Sequence, residues 1–294
     1  MSGSLKNWII KGVSLFSLVR GLNLLVLVLA QFVSAIFIFA PQKNGFSIVL
    51  DFNFWMIVMA TALSVASGYV LNAFFDEEKD LINRPQKTLL ERRVSAQTKL
   101  VVYFVLNFSA LIAASYVSFR SVVFFAVYIG AMALYSAIIK RFLFVGNLTS
   151  ALLTILPFFA VTVYFRNFSL EIFTHAAYLL LLISMRELLK DLHNLKGDLS
   201  HHYQTIPAVF GERTTKQFYT LLVACAYGVV FLLFRYFELQ SMAYYFVFAL
   251  ASLSLCTLVL WRTQTQKTVG LVNMAMKLII LAGILSLPLL RISL

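Results

Sequence analysis

Long apolar stretches recur along the chain, and short polar segments separate them. A bilayer hydrocarbon core about 30 Å thick needs roughly 20 apolar residues at about 1.5 Å of helical rise each. Nine stretches meet this requirement and predict membrane-spanning helices, at residues 21–40, 54–74, 100–118, 121–139, 148–165, 171–189, 218–236, 242–261 and 271–290. The pattern disfavours a transmembrane barrel, whose strands alternate in hydrophobicity. We therefore predict an all-α polytopic membrane protein whose single transmembrane domain covers residues 1–294.

Composition agrees with this prediction. Of the 294 residues, 61% are hydrophobic and 12% are charged, and the mean hydropathy is +0.87. Typical soluble domains are about 45–50% apolar and roughly one quarter charged, so a disordered chain, a disulfide scaffold and an ordinary cytosolic enzyme are all excluded. Cys225 and Cys256 lie in apolar stretches and are interpreted as small core residues. Lys6 and Lys11 precede the first span as in a secretory signal, but that span is longer than a typical signal core.

The distribution of cations predicts the orientation. Placing the N-terminus inside puts 18 of the 24 Lys and Arg residues on the inner side and 5 on the outer side, with Lys277 inside the last span. By the positive-inside rule, we expect an integral protein of the cell (inner) membrane with a cytoplasmic N-terminus and an outer C-terminus. Attraction to anionic membrane lipid accounts for the net charge of +12, and no nucleic-acid partner is expected.

Nine of the twelve acidic residues fall in two inner polar loops, residues 72–99 and 186–216. If the second helix continues past its apolar stretch, Asn72, Asp76 and Asp80 share one helix face, because their spacing is i, i+4, i+8. Arg84 and Pro85 are expected to end this segment, since proline disfavours helical geometry in the residue before it.

A similar stripe is predicted in the second loop. Glu187, Asp191 and Asp198 are spaced by four and then seven residues, and Asn194 lies between the last two. We expect the helix to break at Gly197, which would turn Asp198 inward.

Two stripes of carboxylates at one membrane level are costly unless cations neutralise them. Mg²⁺ takes one or two carboxylates and completes its shell with water and substrate phosphate, so the stripes suggest a Mg²⁺–diphosphate clamp. Nearby cations are candidates for the remaining phosphate oxygens: Arg84, Lys140, Lys190 and Lys196. Ordinary solvated charge pairing is the favoured interpretation of the neighbouring loop charges: Glu77, Glu78, Lys79, Glu91, Arg92 and Arg93.

The NxxxDxxxD pattern at Asn72, with the INRPQKTLLERRVS that follows, resembles the UbiA superfamily of intramembrane prenyltransferases. Further elements of the same family are similar in order and spacing: Arg20 with Asn23, Tyr135-Ser136, Lys140-Arg141, Gly146-Asn147 and the segment RELLKDLHNLKGD with TIPAVFG. The chain departs from the family where Asn194 replaces an aspartate, so either its amide oxygen suffices or one ion is held more weakly.

The resemblance implies a nine-helix bundle with a central cavity capped by the polar cytoplasmic loops. It implies transfer of an isoprenyl chain from a polyprenyl diphosphate donor to a lipophilic acceptor, with Mg²⁺ as cofactor. The expected catalytic residues are Asp76, Asp80, Asp191, Asp198 and Tyr135. The expected metal ligands are the four aspartates and Asn194, and the expected binding residues are Asn72, Arg84, Lys140, Lys190, Arg20 and Asn23.

The acceptor is less constrained. The motif form is most similar to the geranylgeranylglycerol-phosphate geranylgeranyltransferase branch, which predicts a prenylglycerol-phosphate type lipid. An aromatic acceptor of quinone biosynthesis stays open, and haem or chlorophyll side-chain transfer has less support. A membrane transporter is disfavoured because no carboxylate lies in the middle of a predicted span. The altered second motif alone supports a catalytically silent scaffold.

Overall fold

The computed structural model describes residues 2–262 and 265–292, with side chains described from Ile10 onward, so Lys6 and residues 293–294 fall outside the described side chains. Regular structure within these ranges is entirely helical. The α-helices in chain order are α1 Ser2–Leu18, α2 Gly21–Ser34, α3 Gly45–Val49, α4 Phe52–Phe75, α5 Glu77–Asn83, α6 Pro85–Glu91, α7 Ala96–Val117, α8 Phe119–Ala137, α9 Val145–Phe165, α10 Leu170–His193, α11 Leu195–Ser200, α12 Ile206–Tyr236, α13 Ala243–Arg262 and α14 Gln266–Ser286. A π-helical turn at Ala35–Phe39 extends α2.

Nine helical segments of the described chain are long and apolar enough to cross a membrane. They are Gly21–Phe39, Phe52–Phe75, Ala96–Val117, Phe119–Ala137, Val145–Phe165, Leu170–His193, Ile206–Tyr236, Gln240–Arg262 and Gln266–Arg291. The all-α fold class and the nine spans are thereby confirmed. The seventh helix begins at residue 206 rather than 218, because the polar stretch after Gly211 hid its first turns from a hydropathy pattern. Gly211 has φ 79° and ψ 176°, so it kinks α12 in a conformation that favours glycine.

The chain forms two compact units: residues 1–29 with 51–139, and residues 30–50 with 140–294. In the first unit, α4 packs against α7 and α8. Its buried face includes small residues, among them Ala60, Ser64 and Ser67, which let helix backbones approach closely. A Cβ added at Gly68 would lie 2.7 Å from the sulfur of Met132 on α8, so a larger residue there would require the Met132 side chain to shift.

In the second unit, α10 has two chemically distinct faces. Tyr178, Leu182, Met185, Leu189 and Leu192 form one buried apolar stripe that packs with residues of α12, α13 and α14. At about 100° per residue, Glu187 and Asp191 lie about half a turn away from that stripe. The helix that carries the second acidic stripe is therefore fixed in rotation by its apolar side. Its polar side faces a different neighbour, α9.

Candidate active site

The first acidic segment, residues 72–92, continues the register of α4 although the helix itself ends. Asp76 has φ −97° and ψ 7° and separates α4 from α5. Backbone hydrogen bonds nevertheless run from Asp76 N to Asn72 O at 2.9 Å, from Asp80 N to Asp76 O at 2.7 Å and from Arg84 N to Asp80 O at 2.7 Å. The structure therefore places Asn72, Asp76, Asp80 and Arg84 in one continuous i,i+4 series. Arg84 leaves helical geometry before Pro85, as expected.

Glu77 makes the ion pairs that connect α5 to the end of this segment and to α7. Its carboxylate accepts a hydrogen bond from Lys99 Nζ at 2.6 Å and another from Arg92 Nε at 2.8 Å. Lys99, in the first turn of α7, is only 2% exposed, so its ammonium depends on this carboxylate for neutralisation. The interpretation of Glu77 as an ordinary solvated charge was wrong, because the hydropathy pattern gave no sign that Lys99 would be buried. Glu77, the first residue of α5, instead links α5 to Arg92 at the end of the segment and to Lys99 of α7.

Burial raises the pKa of Glu77, but hydrogen bonds and charge from Lys99 and Arg92 outweigh burial and leave the pKa below its usual value of 4.5. A carboxylate whose pKa is lowered on folding stabilises the fold above its unfolded-state pKa. That stabilisation is lost as the pH falls through the folded-state pKa. The ion pairs of Glu77 with Lys99 and Arg92 therefore stabilise the segment at neutral pH and are lost only in acid.

Cations gather beside the acidic series in the first unit. Lys87 lies 3.0 Å from Glu91 Oε1, and Glu91 is buried and also accepts from Ser17 Oγ at 3.0 Å. Burial lowers the pKa of Lys87, repulsion by Arg20 and Arg84 adds to this, and Glu91 opposes it. Arg20 has a positive φ of 52° and its guanidinium stacks 4.6 Å from the centroid of Tyr69.

Sequence reasoning did not include Lys87 among the candidate residues, and it treated Glu91 as solvated, which was wrong. The signal was the four-residue spacing of Lys87 and Glu91, which is typical of an ion pair on one helix face. A group of cations with partly lowered Lys pKa is suited to an anion, because the anion relieves their mutual repulsion.

The second acidic segment, residues 186–205, is ordered by α9. Asn147 Nδ2 donates to Asp191 Oδ2 at 2.8 Å, and Ser150 Oγ donates to Glu187 Oε2 at 3.0 Å. The two helices continue this pairing as an apolar contact, in which Ala151 and Ile155 pack on Ile183. Successive turns of antiparallel helices therefore meet one another, and the polar pairs occupy the two turns nearest the acidic end.

Asn147 and Ser150 were missing from the predicted site. Asn147 was noticed only as part of a motif, because sequence gives no way to know which helix faces the polar side of α10.

The break after α10 lies at Asn194, not at the predicted Gly197. Asn194 has φ −94° and ψ 9°, whereas Gly197 lies within α11. The prediction failed because a glycine marks flexibility but does not require it. Asp198 is still turned inward and is 2% exposed, and Thr205 Oγ1 donates to its Oδ2 over 3.5 Å. The backbone N–H of Tyr203 bonds to Asp198 O at 2.9 Å, which closes the turn.

The remaining predicted residues have varied surroundings. Lys190 pairs with Glu187, which also lies 3.6 Å from Arg186. Lys140 is buried in the 3₁₀ turn Ile139–Arg141, and Tyr135 is half-buried on α8. Asn23 and Lys196 are exposed. The roles expected for these residues stay predictions.

The residues fit Mg²⁺ as shared ligands of a phosphate-bound ion. Among residues 2–262 and 265–292, no three His, Cys, Asp or Glu side chains group as a complete metal site. Mg²⁺ characteristically takes only one or two carboxylates from the protein and the rest of its shell from water and phosphate. Asn194 Oδ1 is a buried oxygen with no hydrogen-bond partner in the described structure, which is the type of ligand that Mg²⁺ prefers.

Comparison with known proteins identifies the family of the chain. The model of the UbiA prenyltransferase family matches residues 27–279. A digeranylgeranylglyceryl phosphate synthase of Methanobrevibacter smithii is 25% identical over 240 residues, covering 78% of this chain and 83% of that protein. The enzyme of the same name from Thermococcus gammatolerans is 25% identical over 218 residues, covering 72% of this chain and 76% of the relative.

Solved structures share the fold. The structure of a digeranylgeranylglyceryl phosphate synthase superposes with a TM-score of 0.70 at 19% identity, covering 94% of this chain and 97% of the other. A UbiA homologue from Archaeoglobus fulgidus, bound to GPP and Mg²⁺, superposes with a TM-score of 0.68 at 14% identity, covering 93% of this chain and 99% of the other.

The helical fold, with nine apolar helices in the described chain, defines a polytopic integral membrane protein. The chain belongs to the UbiA prenyltransferase family and is a prenyltransferase.

The ion pairs of Glu77 predict that the difference in stability between wild type and a Glu77 variant depends on pH. Glu77→Gln removes the charge that neutralises Lys99, so the variant should unfold at a lower temperature than wild type at pH 7. This difference should shrink as the pH falls below about 4.5, because wild-type Glu77 then becomes protonated as well. Thermal unfolding of the detergent-solubilised protein between pH 7 and pH 3 measures it. The control Glu78→Gln alters an exposed neighbour, and a wild-type-to-Glu77→Gln difference that is constant with pH would contradict the assignment.

Proposed function

We propose that the protein is a Mg²⁺-dependent intramembrane prenyltransferase that transfers an isoprenyl chain from a polyprenyl diphosphate to a prenylglycerol-phosphate type lipid. The observation that carries this proposal is the pair of acidic segments, each built on the end of a membrane-spanning helix and each held by its own neighbours. The names of the curated relatives support the acceptor class, and the GPP and Mg²⁺ of the Archaeoglobus fulgidus homologue support the donor and the ion.

In this proposal, Asp76 and Asp80 in the first segment and Asp191, Asp198 and Asn194 in the second are the ligands of Mg²⁺. Mg²⁺ supplies charge neutralisation for the departing diphosphate. Asn147 fixes the Asp191 carboxylate by donating to one oxygen, which leaves the other oxygen for the ion.

The cations of the first unit bind the diphosphate. Arg20, Arg84 and Lys87 repel one another, so the free energy of binding an anion there includes relief of that repulsion. Breaking the C–O bond of an allylic diphosphate leaves positive charge on the isoprenyl carbon, and the acceptor oxygen forms the new C–O bond while its proton leaves. Low water content and aromatic faces stabilise such a charge, and we assign Tyr135 to this role together with the apolar walls of the spans.

The central test is a transfer assay with purified protein, a radiolabelled C20 diphosphate and geranylgeranylglycerol phosphate. Asp76→Asn and Asp191→Asn keep side-chain size but remove charge, so each should lower product formation about 100-fold or more, as expected when a charge-stabilising group is lost. EDTA should abolish activity, and Mg²⁺ should restore it. Glu78→Gln is the matched control and should stay within about twofold of wild type.

Product formation that survives in both aspartate variants would overturn the site. Transfer to hydroxybenzoate, dihydroxynaphthoate or homogentisate in place of the glycerol-phosphate lipid would assign the aromatic-acceptor alternative.

The hydrogen bond between α9 and α10 predicts a smaller effect than loss of an aspartate, limited to the Mg²⁺ requirement. Asn147→Leu is similar in size and removes the hydrogen bond to Asp191, so half-activation should require about 10–100 times more Mg²⁺. Thr154→Val, on an exposed part of the same helix, is the control and should leave this concentration unchanged. A fall in maximal rate with no change in the Mg²⁺ requirement would contradict the positioning role.

The unpartnered side-chain oxygen of Asn194 predicts that a carboxylate at this position does not weaken Mg²⁺ binding. Asn194→Asp adds a charged ligand where the amide oxygen already lies, so Mg²⁺ affinity should be equal or higher. Titration of activity with Mg²⁺ at a fixed saturating donor concentration measures it. Clearly weaker metal binding in this variant would show that Asn194 is not a metal ligand.

A further inference from the structure

An apolar pocket lies within the second unit, at the end of α10 remote from Asp191. It has a cavity volume of about 100 Å³ and lies between the π-helical turn Ala35–Phe39 and helices α9, α10, α13 and α14. None of its lining residues in the described chain is Asp, Glu, Lys or Arg. His175 and Tyr178, one turn apart on α10, are the polar aromatic residues of α10 in its wall.

One ring nitrogen of His175 is a buried hydrogen-bond acceptor that has no donor among the described residues. Its Nδ1 lies 2.9 Å from the backbone carbonyl oxygen of Glu171, which can only accept a hydrogen bond. Nδ1 therefore bears the proton, and Nε2 of the neutral ring presents a lone pair. Nε2 is buried and has no hydrogen-bond partner in the described structure. A buried acceptor left unmatched costs about 1–3 kcal/mol.

The hydroxyl of Tyr178 is buried in the same wall. It interacts with the hydroxyl of Tyr245 as an acceptor, and its own proton has no acceptor in the part of the chain that is described. Both rings pack against Phe246 of α13, with centroid distances of 6.0 Å from His175 and 5.3 Å from Tyr178. Tyr245, edge-on to Tyr178, donates its own hydroxyl to the carbonyl of Ile279 at 3.2 Å. The two unsatisfied groups thus share one side of one apolar pocket.

We propose that this pocket binds a neutral lipid alcohol, whose hydroxyl donates to His175 Nε2 and accepts from Tyr178 Oη while its hydrocarbon chain fills the apolar walls. The pairing is specific to a hydroxyl, which donates and accepts at one atom. A phosphate or carboxylate would bury its charge without a cation in the wall, and an ammonium would bury its charge without an anion. A pure hydrocarbon would leave both polar groups unsatisfied.

The pocket is separate from the acidic segment of the same unit. His175 precedes Asp191 by sixteen residues on the same helix, which corresponds to about 24 Å at 1.5 Å per residue. The hydroxyl of the alcohol would therefore lie far from the diphosphate of the proposed reaction.

The test uses the full-length protein in lipid nanodiscs and a C20 alcohol that carries a photoreactive diazirine near its hydroxyl end. Labelled peptides, identified by mass spectrometry, should include residues of α10 or α13 that line the pocket. Unlabelled alcohol should compete at least about ten times better than its methyl ether, in line with a discrimination of about 1.4 kcal/mol per tenfold. The ether keeps the chain and loses the donated hydrogen bond.

Variants separate this site from general apolar binding. His175→Phe should abolish the preference for alcohol over ether, and His175→Gln, whose amide oxygen accepts a hydrogen bond, should retain part of it. Thr174→Val, which alters the adjacent half-buried residue of α10 outside the pocket lining, should behave as wild type. Tyr178→Phe, which keeps the ring, should reduce the preference and serves if His175→Phe does not fold.

Equal competition by alcohol and ether in wild type, or a preference unchanged in His175→Phe or Tyr178→Phe, would overturn the proposal. The measurement needs no catalytic activity, so its outcome is independent of the proposed transfer reaction.

Discussion

The structure depends on one electrostatic constraint: carboxylates at the ends of apolar helices must be neutralised or hydrogen-bonded without help from a soluble domain. An ionised group moved away from water is costly, and its neighbours must repay that cost. In the second unit, Asn147 and Ser150 of α9 do this for Asp191 and Glu187. In the first unit, Lys99 and Arg92 do it for Glu77.

These partners also separate two kinds of carboxylate. Glu77, Glu91 and Glu187 are bound to lysines of their own unit and hold the backbone in place. Asp191 is held on one oxygen by a neutral amide, which orients the group without cancelling its charge. Asp76 is the exception among the proposed metal ligands, because Lys79 Nζ lies 3.6 Å from its Oδ1 and a metal bound there would compete with this ion pair.

The nine spans could be predicted from sequence because each depends on a local property, about 20 consecutive apolar residues. The register of Asn72, Asp76, Asp80 and Arg84 was also predictable, since four-residue spacing survives a small break in the helix. The residues that neutralise or hydrogen-bond these carboxylates were not predictable. Whether Lys99 is buried, or whether Asn147 faces Asp191, depends on which helices are neighbours and how each is rotated, and a single sequence contains no direct signal for either. The break at Asn194 was misplaced for a related reason: tertiary contacts overrode the preference of Gly197.

The unbroken ladder from Asn72 to Arg84 has a consequence for how this segment tolerates evolutionary change. Replacing a residue between the aspartates alters one side chain, but inserting or deleting one residue rotates everything beyond it by about 100° around the axis. Asp80 and Arg84 would then leave the row they share with Asp76. Natural variants of this segment should therefore keep its length constant, even where the side chains between these positions, other than Glu77, differ.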